Sequence, residues 1–451
     1  MNLFGLPQKL DNGLTMRWAL PQDADELAAF NVQMHSDDLD EPETWLGEWT
    51  QDLMRGDHPT TQASDFTVVV DENAGGKIVS SMGLISQKWM IDGIEINVGR
   101  PELVATDPEY RQRGLVRVQF DVIHAKSEAR SEMIQAITGI PWYYRQFGYE
   151  MALDYGGSHR FYWHHAGNDK PIEPELFQIR PAIEFDIPVL TQLYAANNGG
   201  SLLTRVRDAT LWRYEMGTSS RKSDYSRSFH MIETACSREG VETVTHEPIA
   251  YIEYQQWGTR FVVREFGVKV GCSWRPISLF ITRFLKKEAD RLNESREKPI
   301  TAVSFNLGTG HAVYEALGSQ LDKQIKPYAW FIRVPDLPAF LRHIAPALER
   351  RLAKSVLVGH SGTIKMNFYR SQITLKFECG KLVEIGSFTP EHLSAGDVRF
   401  PELTFLQLLF GRRSFEELDH AFADCYVSNA ETAVLLNILF PKQPSWVVGL
   451  G

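Results

Sequence analysis

The sequence predicts an α/β protein, with mixed sheets flanked by helices, and three observations carry that prediction. Short runs rich in Val and Ile alternate with helix-period segments through residues 1–168. Arg17, Ala19, Asp23 and Leu27 recur at identical spacing as Arg180, Ala182, Asp186 and Leu190, 163 residues later. After residue 336, three stretches of strict alternation are followed by apolar helical segments. The expected organisation is a first domain over 1–168, a second of the same build over 169–335, and a third, α+β domain over 336–451.

In the first domain, Met16–Ala19 reads as a strand, and Pro21-Gln22-Asp23 starts a helix with Leu27, Ala28 and Phe30 on one face. Thr67–Val70 and Lys77–Ile85 read as strands joined by a turn at Gly75-Gly76. Met90-Ile91 and Ile94–Val98 flank a turn at Asp92-Gly93. A further extended run, Leu103-Val104, breaks at Asp107-Pro108. A helix over Val116–Arg130 and an extended segment over Ala136–Ile140 follow.

The repeat has a second anchor. Tyr144-x-x-Phe147-Gly148 has a counterpart in Tyr314-x-x-Leu317-Gly318, at an offset of 170 residues. Where the first copy has Arg111-Gln112-Arg113-Gly114, the second has Cys272-Ser-Trp-Arg-Pro-Ile with no R-x-x-G. The second copy is therefore expected to be degenerate and to bind no cofactor. In the third domain, Asp336-Leu-Pro starts a helix. Gly362–Phe368, Ser371–Phe377 and Lys381–Ile385 alternate as half-buried strands, and Leu403–Phe410 and Phe415–Phe422 read as apolar helices.

Composition narrows the function. An apolar fraction of 43% and a charged fraction of 23% belong to a globular chain, and 451 residues exceed one ordinary core. A net charge of −10 offers no basic footprint, so nucleic acid is not expected as a partner, whereas a cationic substrate would be drawn to such a surface. The four cysteines, Cys236, Cys272, Cys379 and Cys425, have neither metal-ligand nor disulfide spacing, so no metal is expected. No apolar run reaches the ~18 residues of a membrane span, and the N-terminus lacks a signal-peptide pattern. A cytoplasmic protein without a membrane partner is expected.

The stretch from Val104 to Tyr149 carries the chemistry. An extended run, a cluster of Arg111, Arg113 and Gly114, and an immediate helix start form a nest of backbone N–H groups aimed at an anion. There is no Gly-Lys-Ser/Thr of a P-loop and no dinucleotide fingerprint. Arg111-Gln112-Arg113-Gly114-Leu115-Val116 resembles the R-x-x-G-x-G/A pyrophosphate loop of the GNAT acetyltransferases. Tyr144-Arg-Gln-Phe147-Gly148-Tyr149 resembles the Tyr-x-x-Phe-Gly-Tyr/Phe segment found about thirty residues later in that family. Val116 departs from the family's Gly or Ala, as does the Eis-like (enhanced intracellular survival) branch, and the terminal strand-and-helix pattern resembles the sterol-carrier-like domain that closes chains of that branch.

The resemblance implies tandem GNAT folds, acetyl-CoA as cosubstrate, a primary amine acceptor on a small polycationic molecule or a lysine side chain, and homo-oligomers up to hexamers. It places the pantetheine arm on the backbone of Val104, Ala105 and Thr106, and the pyrophosphate on Gln112, Arg113, Gly114, Leu115, Val116 and Arg117. Charge comes from Arg111 and Arg113, and further contacts from Gly139 and Ile140. Tyr144 is the implied general acid, with Tyr143 and Tyr149 as neighbouring alternatives. Removing a proton from an ammonium needs a base. The resemblance assigns that role to the chain's terminal carboxylate, here on Gly451, with Glu95, Asp154 and His124 as side-chain alternatives. The acidic run Asp37-Asp38-Leu39-Asp40-Glu41 could face a cationic acceptor. The competing expectation is a non-catalytic scaffold that binds coenzyme or lipid.

Overall fold

A computed structural model describes residues 3–38, 40–168, 176–218, 227–236 and 245–447. The described residues build three sheets. Strands β1 (Gln8–Lys9) and β2 (Leu14–Trp18) precede helices α1 (Ala24–His35) and α2 (Trp45–Met54). Strands β3 (Phe66–Asp71), β4 (Lys77–Ile91) and β5 (Ile94–Thr106), helix α3 (Leu115–Ala129), and strands β6 (Ile134–Ile137) and β7 (Glu150–Tyr155) follow. The chain then starts the second sheet with β8 (His159–Tyr162) and β9 (Phe177–Pro181), followed by helix α4 (Ile187–Asn198). Strand β10 (Leu203–Arg205) pairs with β4 in the first sheet. Helix α5 (Ala209–Arg213), strands β11 (Phe229–Cys236), β12 (Thr245–Trp257) and β13 (Arg260–Val268), helix α6 (Trp274–Asn293), strand β14 (Ala302–Phe305) and helix α7 (Ala312–Leu317) complete the second copy. Strand β15 (Tyr328–Arg333) lies in the first sheet, between β6 and β7.

Helices α8 (Leu337–His343) and α9 (Ala345–Ala353) lead to a five-stranded sheet. It contains β16 (Gly362–Asn367), β17 (Gln372–Glu378), β18 (Lys381–Gly386), β19 (Val398–Arg399) and β20 (Tyr426–Val427), with α10 (Phe405–Leu409), α11 (Phe415–Ala421) and α12 (Ala430–Leu439). Phe368, Phe400, Phe405 and Phe440 are buried with their rings in contact, so aromatic side chains fill the core of this part.

Two compact units result. One holds residues through Asp154, Ser201–Val206 and Ala329–Val447; the other holds the described residues of Tyr155–Gly200 and Arg207–Tyr328. The chain therefore changes sheets near both expected boundaries. β8 precedes residue 168 yet pairs with β14, and β15 precedes residue 335 yet pairs with β6.

The repeated residues do the same work in each copy. The Arg17 guanidinium grips Asp23 at 2.6 and 3.0 Å, and that of Arg180 grips Asp186 at 2.6 and 2.8 Å. The Leu20 N–H donates to Asp23 at 2.7 Å and the Ile183 N–H to Asp186 at 2.9 Å. Ala19 and Ala182 donate their N–H groups to the carbonyls of Phe66 and Phe229, themselves 163 residues apart. Leu27 and Leu190 are both fully buried. In each case a bidentate arginine ties a strand, β2 or β9, to the start of the helix that follows it, α1 or α4.

Two expected breaks are absent. β4 runs unbroken through Met90 and Ile91 for 15 residues, and β5 runs from Ile94 to Thr106 for 13. β5 ends at Thr106, at the expected break of Asp107-Pro108, and before that end it carries a bulge that the sequence reading did not include. Ser81 pairs with Ala105 and Gly83 with Glu102, so Leu103 and Val104 together oppose Met82. Leu103 takes the left-handed φ of 53° that one extra residue in a ladder can require, and its side chain stays buried.

Candidate active site

The bulge opens the site. β5 and β6 run parallel, but they pair only at Val98–Ile134 and Gly99–Gln135. Pro101, two residues on, has no N–H to continue a ladder. Beyond it the bulge turns Val104, Ala105 and Thr106 off the regular register. On the β4 side, the Ser80 hydroxyl donates to the Ala105 carbonyl at 2.8 Å and that of Ser81 to the Leu103 carbonyl at 3.2 Å. A parallel pair that separates in this way leaves main-chain groups of β5 facing a notch.

The loop after β5 is held from behind. The Asp107 carboxylate accepts from the Glu109 N–H and pairs with Lys77 at 2.9 Å, and the Tyr110 hydroxyl donates to Asp71 at 2.7 Å. Gln112 and Gly114 both adopt left-handed backbone, at φ 63° and 74°, on either side of Arg113. A β-carbon on Gly114 would meet no atom within 4 Å, so this glycine answers a backbone requirement and not a steric one. Residues of alternating hand turn successive N–H groups inward. The first turn of α3 adds the N–H groups of Leu115 and Val116, which lie too early in the helix for an intrahelical partner. Arg111 and Arg113 are exposed but engaged. Arg111 Nε donates to the Thr106 carbonyl at 3.3 Å, and Arg113 donates to the Glu109 carbonyl at 2.9 Å while covering the Tyr110 ring at 4.7 Å.

Tyr144 lies in a short 3-10 turn, Tyr143–Phe147, closed by Gly148 at φ 87°. It is 5% exposed, and its ring meets those of Phe120 on α3 and Phe331 on β15 edge-on, at 6.2 and 5.6 Å. The turn is fastened to α3. Arg117 donates to Gln146 at 2.9 Å and covers Phe147 at 5.1 Å, and Phe120 stacks on Phe147 at 4.3 Å. The Tyr144 hydroxyl sits beside Gly139, just beyond the end of β6. The structure thus brings together the notch residues, the loop, Gly139 and Tyr144. Ile140 is exposed beside them.

The alternative tyrosines differ. The Tyr149 hydroxyl lies 2.8 Å from His124 Nε2, and burial drives the phenol well above its usual range. Tyr143 is raised by burial, with Arg117 pulling the other way.

Each side-chain base expected from the sequence has another partner. Glu95 stands nine residues before Val104, about 30 Å of strand away, and pairs with Lys88 at 3.7 Å. Asp154 pairs with Arg412 at 3.1 Å. Burial, reinforced by the Arg333 charge, pushes His124 down to about 3, so it is a neutral partner of Tyr149. Gly451 lies outside the described residues. Asp37, Asp38, Asp40 and Glu41 are exposed and Leu39 is outside the described residues.

The sequence reading missed Glu102. It lies immediately before the bulge and forms a buried ion pair with the fully buried Arg100, whose guanidinium covers the Trp330 ring of β15 at 4.8 Å. Burial pushes its carboxyl above the ordinary range, against the pull of Arg100. The signal available was Arg100-Pro101-Glu102, two charges on one strand face around a proline.

The second copy lacks these features among its described residues. Its loop has one left-handed residue, Gly271, before α6 begins at Trp274. The Tyr314 hydroxyl is spent on the main chain, donating to the Phe305 carbonyl at 2.9 Å and accepting from the Leu307 N–H at 3.1 Å. Among the described residues there is no cluster of three or more His, Cys, Asp or Glu able to hold a metal, and no helix long and apolar enough to cross a membrane.

Residues 32–152 match the family model of the acetyltransferase (GNAT) domain, whose members use acetyl-CoA as acetyl donor. A search of curated proteins finds no match. Among solved structures, a protein of unknown function and probable N-acyltransferase from Enterococcus faecalis V583 superposes with a TM-score of 0.67 at 13% identity, covering 96% of this chain and 97% of its own. A GCN5-related N-acetyltransferase from Kribbella flavida gives 0.64 at 15%, covering 96% and 97%. Eis1 from Mycobacterium abscessus gives 0.59 at 10%, covering 96% and 98%. At such identities the likeness is one of fold. Residues 32–152, which carry the notch, the anion nest and the buried tyrosine, thus match a GNAT acetyltransferase domain.

Proposed function

We propose that this chain transfers the acetyl group of acetyl-CoA to a primary amine of a small polycationic molecule or a lysine side chain. The observation that carries the reading is the sequence of three features along one track: a strand splayed at Val104–Thr106, an N–H nest at Gln112–Val116, and a tyrosine hydroxyl beside Gly139. The free N–H groups of the nest and the charges of Arg111, Arg113 and Arg117 suit a pyrophosphate. The main chain of Val104, Ala105 and Thr106 suits the amides of a pantetheine arm, with Gly139 and Ile140 at the far side. Bound acetyl-CoA supplies a thioester, whose acyl carbon an amine attacks.

Tyr144 donates a proton to the departing sulfur. It is the tyrosine whose hydroxyl faces the end of β6, whereas that of Tyr149 faces His124. Two carboxylates are proposed as base: the terminal one of Gly451, and Glu102, whose raised carboxyl beside the bulge is closer in strength to a useful base than an exposed glutamate. The net charge of −10 supports a cationic acceptor. The same reading includes two GNAT-like copies over 1–168 and 169–335, with β8 paired in the second sheet and β15 in the first, a sterol-carrier-like domain over 336–451 supported by its five-stranded sheet backed by helices, a homo-oligomer, and a cytoplasmic setting.

The test is thiol release from acetyl-CoA with polyamines, aminoglycosides and lysine peptides, for the wild type, Tyr144→Phe, Glu102→Gln and a chain shortened by four residues. Loss of a general acid lowers turnover by about 10²–10⁴. Full activity in Tyr144→Phe would refute the assignment of the acid, and the other two variants separate the bases.

A further inference from the structure

Trp142 is a large apolar side chain that is 61% exposed, and it is held in place at a cost. Its backbone has φ 65°, a conformation that bulky residues adopt only when the surroundings demand it. Its indole is backed by the Arg145 guanidinium at 4.9 Å, and Arg145 in turn pairs with Glu150 at 3.0 Å. The Glu150 side chain is 2% exposed, and its other oxygen accepts from Gln407 of α10 at 3.2 Å. An exposed indole is thus preorganised by a chain of contacts that ends in a buried carboxylate, an arrangement a simple surface residue has no need of.

We propose that Trp142 is the stacking platform for the adenine ring of the coenzyme. This rests on the acetyl-CoA reading above and adds a residue that neither sequence motif contains. Three features favour a nucleobase over the amine substrate. Arg145 already occupies one indole face, so a second cation on the ring would meet a like charge, whereas a neutral purine would not. The same guanidinium favours a ligand that carries phosphates. The turn that begins at Trp142 is fastened by Arg117 to the first turns of α3, where the N–H nest would hold the pyrophosphate. A nucleotide leaving that nest would pass the open face of the indole.

The experiment compares wild type, Trp142→Phe and Trp142→Ala for CoA affinity by titration calorimetry, and for turnover with acetyl-CoA and with acetyl-pantetheine, which lacks the nucleotide. Stacking predicts that Trp142→Ala weakens CoA binding by about tenfold to a hundredfold, with Trp142→Phe losing less than the alanine variant. Turnover with acetyl-pantetheine should stay within about twofold of wild type, because stacking acts on the nucleotide alone. Equal losses with both donors would overturn the proposal, since the indole would then merely shape the Tyr144 turn. A rise confined to the KM for the amine would also overturn it, by placing the acceptor on Trp142. Tight CoA binding by the wild type that Trp142→Ala leaves unchanged refutes the platform alone; no CoA binding by the wild type refutes the acetyl-CoA reading with it.

Discussion

A β-carbon on Gly139 would stand 3.1 Å from the hydroxyl oxygen of Tyr144 and 3.2 Å from its ring. Gly139 also has φ 139°, which side chains with a β-carbon rarely adopt. The glycine therefore leaves room for the tyrosine at the end of β6. Gly139→Ala is expected to push the phenol aside by part of an ångström. Misplacement on that scale lowers kcat by about 10²-fold. CoA affinity should fall less than kcat, by about tenfold at most, because Gly139→Ala disturbs one border of the proposed pantetheine track and leaves the pyrophosphate nest untouched. An unchanged kcat would show that the hydroxyl position is not critical.

Gly114 presents the opposite case, a left-handed φ of 74° in open space. Gly114→Ala should fold and keep most CoA affinity, losing about 1–2 kcal/mol of stability for the left-handed backbone. Gly114→Asp places a carboxylate in the nest itself and should cost at least about a hundredfold in CoA affinity, because a like charge meets the phosphates. Titration calorimetry, with circular dichroism to check the fold, separates the two. Equal affinities in both variants would mean that the anion binds elsewhere.

The parts of the site that were legible in the sequence are those whose signal is local. Gly114 and the arginines stand within four residues, and the turn bearing Tyr144 ends in Phe147-Gly148, where the left-handed cap has to be glycine. The repeated Arg–Asp grip was readable because its two members lie six residues apart. What escaped was set by pairing over long range. Nothing in Leu103-Val104 distinguishes a bulge from a regular extended run, since the bulge exists only against Met82. Nothing in Tyr-Ala-Trp-Phe-Ile-Arg, residues 328–333, says that it fills the gap between β6 and β7. Glu102 reads as a solvated strand residue until Arg100 and Trp330 are seen to bury it.

The placement of β15 makes a prediction about dissection. Phe331 packs on Tyr144, and Trp330 covers Arg100 and meets Trp89 at 5.8 Å, so the first sheet takes essential core from residues 328–333. A fragment of residues 1–168 leaves β6 and β7 with unpaired edges and strips the cover from a buried charge, each worth several kcal/mol against a folding free energy of about 5–15 kcal/mol. It should be insoluble or molten, as read by dispersion in a two-dimensional NMR spectrum. A well-dispersed spectrum with wild-type CoA affinity would show that β15 is dispensable.

The pair of His124 and Tyr149 packed against Tyr144 predicts a pH dependence of stability. His124 is pushed down to about 3, by burial first and the Arg333 charge second, while an unfolded histidine titrates near ~6.5. Below that value the unfolded chain takes up a proton that the folded chain refuses. The contribution of the neutral imidazole is therefore complete above pH ~6.5 and is lost progressively as pH falls towards about 3. The slope is up to ~1.4 kcal/mol per pH unit, or on the order of 2 kcal/mol between pH 6.5 and 5. His124→Gln keeps an oxygen able to accept from the Tyr149 hydroxyl but has nothing to protonate. Its urea-unfolding free energy should fall less steeply than that of the wild type over this interval, and its kcat at pH 7 should stay close to wild type because the tyrosine packing is kept. Parallel slopes in the two proteins would mean that His124 is protonated in the folded chain, and the imidazole would then have to be considered again as a proton carrier at the site.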